Sequence, residues 1–136
     1  CASQDGGIVA LGKSFWGARP AIFQIDSELT SSSVVELSYE HWSDQDELRA
    51  IAPLGSGDFV IAGRLGDDAL VLRAAADGTI LWMREFGEAG AADEFNDLVV
   101  LATGEILVLG TTASYGAAEH SLWIKYLDDA GNDITP

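Results

Sequence analysis

A chain of 136 residues, 48% hydrophobic and 21% charged, is long enough for one domain and too apolar to stay disordered. Its formal charge of -15, from 22 acids against 7 bases, repels phosphate backbones and anionic lipid, which argues against nucleic-acid and membrane-surface partners. A single cysteine, Cys1, leaves no internal disulfide and no cysteine-based zinc site, and no apolar run reaches the roughly 18 residues of a membrane-spanning helix.

Cys1 itself raises the first expectation. A mature bacterial lipoprotein begins with a lipidated cysteine, so Cys1 is a candidate lipid anchor. The alternative is that the stretch simply begins there. Asp5-Gly6-Gly7 follows almost at once, leaving little room for a flexible tether.

Residues 5–12, Asp-Gly-Gly-Ile-Val-Ala-Leu-Gly, have two near copies, Ser56–Gly63 and Thr103–Gly110. Alignment on the closing glycines, Gly12, Gly63 and Gly110, gives spacings of 51 and 47 residues. After each glycine comes a loop and a second apolar run, at Ala21–Asp26, Ala69–Ala74 and Leu122–Leu127, broken by a polar residue (Gln24, Arg73, Lys125). A turn follows, Asp77-Gly78 in the second copy and Asp129–Asn132 in the third, and such turns between apolar runs predict hairpins. A third run is Ser33–Tyr39 or Thr79–Phe86. An acidic pair, Asp46-Glu47 or Asp93-Glu94, then opens a further run, Leu48–Leu54 or Phe95–Leu101. Residues 88–97 are the best helical candidate and are expected to be an inter-repeat loop, because no segment holds a 3.6-residue period.

The unit is therefore four short strands, with repeats over approximately 1–45, 46–92 and 93–136. Four-stranded units of this period are propeller blades. The expected fold is all-β and propeller-type, with about three four-stranded antiparallel blades and ragged ends. Cys1 aligns with Ala52 and Val99, so the first copy lacks most of its first strand, and the third copy stops where the second is beginning Thr79–Trp82. Closed propellers have about four to eight blades. The expected partners are therefore the remaining blades of the same propeller, or identical copies completing a ring.

The acidic pair, the turn–apolar–Gly segment and Ser121-Leu122-Trp123-Ile124-Lys125-Tyr126-Leu127-Asp128, with Gly131-Asn132 beyond, together resemble the secreted bacterial β-propeller repeats of envelope and lipoprotein sequences. The resemblance covers essentially the whole chain. It implies export to the cell envelope or the extracellular space and is nearly silent on activity. Residues 76–82, Ala-Asp-Gly-Thr-Ile-Leu-Trp, also resemble the tryptophan-docking segment of quinoprotein-type repeats, which implies that Trp82 packs between neighbouring blades.

Chemistry-bearing motifs are sparse. His41 and His120 have no second ligand at metal spacing and read as exposed loop histidines. No Gly-x-Ser-x-Gly elbow and no phosphate-binding glycine loop is present. Asp128–Asp133 is rich in oxygen ligands but departs from the EF-hand pattern, and a hairpin turn is the better reading. The loops after the glycine anchors carry Phe15-Trp16-Gly17 and Ser114-Tyr115-Gly116. Trp16 and Tyr115 could stack a sugar ring, with Arg19 and Glu119 nearby as hydrogen-bonding groups. The alternative is that these rings anchor their own loops. The expectation is a non-catalytic binding or scaffold module with no cofactor and no metal, not an enzyme, whose partner is protein or, in the alternative, carbohydrate held by the loop aromatics.

Overall fold

The computed structural model describes residues 1–3, 5–14, 19–117 and 120–136. Among them there are ten strands and no helix. They form three antiparallel sheets. The first contains β1 (Ile8–Lys13), β2 (Pro20–Ile25) and β3 (Ser32–Glu36). The middle one runs β4 (Glu47–Pro53), β5 (Phe59–Leu65), β6 (Asp68–Ala74) and β7 (Ile80–Phe86). The last contains β8 (Asp93–Val100), β9 (Ile106–Thr112) and β10 (Ser121–Leu127). Within each sheet the strands pair in chain order, as three successive hairpin meanders.

The repeat is visible first in its turns. Leu54–Asp58, Ala75–Thr79, Leu101–Glu105 and Asp128–Asn132 share one pattern: the first N–H donates to the fifth carbonyl, and the fourth N–H donates to the first carbonyl. The fourth residue is always glycine in the left-handed region, at Gly57 (φ 87), Gly78 (φ 89), Gly104 (φ 90) and Gly131 (φ 80). Glycine meets that requirement without steric cost. Ser3–Gly7 makes the same turn around Gly6 (φ 85). It leads from Cys1 and Ala2 into β1. The Cys1 ammonium donates to the Val9 carbonyl at 2.7 Å, and the Val9 N–H returns to the Cys1 carbonyl at 2.8 Å. Cys1 and Ala2 thus stand where Ala52-Pro53 and Val99-Val100 stand in the other sheets, as the alignment expects.

The three sheets stack as layers. Val9, Ile22 and Leu37 of the first repeat pack against Phe59, Ile61, Leu70, Leu72 and Ala74 of the middle sheet. The opposite face of that sheet, Val60, Ala62, Ala69 and Val71, packs against Phe95, Leu98, Ile106, Val108 and Leu127. Consecutive residues of β5 and β6 serve opposite cores, so these strands read as unbroken apolar runs rather than alternating ones. Burial of this kind contributes roughly 25 cal/mol per Å² of apolar surface.

The closing glycines also have a physical cause. A β-bulge at Leu48–Ala50 presses the Glu47 carbonyl against Gly63, and one at Phe95–Asp97 presses the Glu94 carbonyl against Gly110. A side chain at either position would occupy the space of that carbonyl.

Two details differ from the sequence reading. Residues 93–97 are strand, the start of β8, and only the segment before Asp93 is loop. Asp93 and its neighbours are held by pairing to β9, a long-range contact with no local signature. The pairings of β6 and β10 align Tyr126, not Lys125, with Arg73. Lys125 takes the place of Leu72, and its ammonium lies over the Phe86 and Trp123 rings at 5.8 and 5.6 Å.

Candidate functional site

Antiparallel pairing sorts the connections into two ends. One end carries the tight glycine turns. The other gathers the longer connections: the loops after β1, β3, β7 and β9, and the short β5–β6 turn. Binding residues concentrate on loops held by a rigid scaffold, which makes the long-loop end the candidate surface.

That end is pinned by two buried aspartates. Asp93 is fully buried at the start of β8. Its carboxylate accepts the hydroxyl of Thr112, the hydroxyl of Ser114 at 2.6 Å and the N–H of Ala113 at 3.2 Å. Asp46, one residue before β4 and 3% exposed, accepts the N–H of Ser43 at 2.6 Å and of Gly66 at 2.7 Å. Each carboxylate ties the entry of its sheet's first strand to the loop leaving the second. Buried charges of this kind are retained where donors surround them. The sequence reading identifies the pair Asp46-Glu47 and Asp93-Glu94 only as punctuation. Its recurrence 47 residues apart was the available signal, and nothing local distinguishes a buried aspartate from an exposed one.

Two aromatic groups lie at or near this end. Beside the first sheet, Tyr39 meets His41 and Trp42 edge-on at centroid distances of 5.5 and 5.0 Å, and the Trp42 N–H donates to the Leu37 carbonyl at 3.3 Å. Between the middle and last sheets, Phe86, Phe95 and Trp123 cluster at 5.1 to 6.4 Å. Tyr115 leans on this second group, 5.9 Å from Trp123, and is 59% exposed. Its backbone lies in the left-handed region (φ 56), and its N–H donates to the Glu88 carboxylate at 2.6 Å. Its ring therefore both anchors its loop and presents a face to solvent.

Of the sequence-predicted ligand residues, Trp16 and Glu119 lie outside the described residues. Arg19 is exposed, and its carbonyl accepts the Ser14 N–H at 2.8 Å across the neck of its loop. Arg19 lies in the loop before β2 of the first sheet and Tyr115 in the loop after β9 of the last, with the middle sheet between those sheets, so the described residues do not form one cluster. The Cys1 thiol is free and exposed. His41 and His120 are exposed, the latter with φ 59.

The acidic turn is a closed hydrogen-bonded unit. Asp128 accepts the N–H groups of Ala130 and Asn132, at 3.0 and 2.8 Å, and the Asn132 side-chain amide at 2.9 Å. These donors hold the Asp128 carboxyl below the usual carboxylate range, the Asn132 side chain contributing most. Asp133 binds Lys125 at 2.5 Å. Among the described residues no group of three or more His, Cys, Asp or Glu is placed to hold a metal ion.

No family model matches this chain, and neither does any curated protein.

Proposed function

We propose that this chain is a non-catalytic binding or scaffold module of a propeller-type protein, exported to the cell envelope or beyond. One relationship supports this reading above others: the outer faces of the stack are equivalent to faces that the middle sheet buries. Ile8, Ala10, Phe23 and Ile25, outside the first sheet, hold the places of Phe59, Ile61, Leu72 and Ala74. Leu107, Leu122 and Ile124, outside the last sheet, hold the places of Val60, Ala69 and Val71. The outer residues are all apolar; Leu122 is 74%, Ile8 48% and Ile124 46% exposed, while Phe23 and Leu107 are half-buried. Faces of one kind continue the stack, so each outer sheet suits a further sheet of the same repeat, from the remaining blades or from an identical copy. Arg49 of β4 also reaches Glu94 at 2.9 Å and the Asn96 side chain on β8, drawing the first strands together as blades converge toward an axis.

Light scattering with circular dichroism tests the open faces. The expected result is a folded β protein whose mass or aggregation falls when Leu122→Asp or Ile8→Asp is introduced. A well-folded species at 14.4 kDa that neither substitution alters would overturn the reading.

Carbohydrate binding is the second reading, favoured by the exposed ring of Tyr115 on a loop fixed through Glu88. Stacking on such a ring should change the emission of Trp123, 5.9 Å away. An unresponsive spectrum across a sugar panel at about millimolar concentration, the weak end of specific binding, would reject it.

A further inference from the structure

We draw no further inference here: the strongest candidate, the open recess between the middle and last sheets where Leu81 and Trp82 of β7 meet Asp129 and Ala130, has its Arg73 guanidinium and Trp82 N–H already bonded within the fold, and nothing in the structure shows what covers it.

Discussion

The indole of Trp82, on the last strand of the middle sheet, lies against Gly131 in the turn of the last sheet, its ring carbons 2.8 to 3.0 Å from where a Cβ would stand. Its N–H donates to the Asp129 carbonyl at 3.2 Å. The contact crosses from one repeat to the next, and Arg84 reinforces it by donating to the Ala130 carbonyl at 3.2 Å. Gly131 also has φ 80, so a side chain there meets both a strained backbone and an occupied space. Gly131→Ala should lower the unfolding free energy by about 2–3 kcal/mol, and Trp82→Ala by about 2 kcal/mol. Urea denaturation measures both. If Gly131→Ala falls within about 0.5 kcal/mol of wild type, the range of ordinary surface changes, the Trp82 seat is not a structural contact.

Asp93 should be the most sensitive acid in the chain. Asp93→Ala leaves the donors of Thr112, Ser114 and Ala113 without their acceptor inside the fold, and should cost about 3 kcal/mol or more. Asp93→Asn keeps the volume but offers a donor where only acceptors fit, so it should recover little. The informative control is Glu85→Ala, an exposed acid on β7, which should be nearly neutral. Thermal melts of the three variants rank them, and equal midpoints for Asp93→Ala and Glu85→Ala would remove the pinning role.

The repeat was readable because its cause is local. A glycine at the fourth turn position and a run of Val, Ile and Leu leave a mark in the sequence wherever they recur. The bulges that select Gly63 and Gly110 are tertiary, yet they too leave glycine as their trace. Asp46 and Asp93 show where reading stops, since their burial depends on Gly66 and on Thr112 and Ser114, about 20 residues downstream. The register of β10 shows it again. Residues 113–120 lengthen the connection before it, so counting polar residues selects Lys125 while the pairing selects Tyr126. The open apolar faces of the outer sheets were legible as an excess of apolar strand surface for the number of sheets present.

Asp26 gives the chain a distinct acid limb. Its carboxylate caps the β2–β3 turn, accepting the N–H and hydroxyl of both Thr30 and Ser31. The Ser31 hydroxyl, then the Thr30 N–H, hold its pKa down to about 2. A depressed folded pKa means that the contribution is full above the unfolded value, near 3.9, and is lost as pH falls toward 2. The stability difference between wild type and Asp26→Ala should therefore be constant above about pH 5 and shrink between about pH 4 and 2. Carboxyl-carbon NMR reads the group directly, and an Asp26 midpoint near 4 would contradict the capped turn.

The anchoring glycines should respond unequally to one methyl group. At Gly110 the obstacle is the Glu94 backbone, and at Gly63 the Glu47 backbone, each held in a bulged ladder. Neither can yield without breaking the pairing of the first strand, so Gly63→Ala and Gly110→Ala should each cost about 3 kcal/mol or more. At Gly12 the obstacle is the far edge of the Phe23 ring, a side chain that can rotate on the open face of the first sheet. Gly12→Ala should cost less than about 1 kcal/mol, because the strain relaxes through one rotamer change. Chemical denaturation of the three variants separates backbone from side-chain obstruction. Equal losses at all three would mean that the first sheet is as tightly closed at Gly12 as its neighbours are at Gly63 and Gly110.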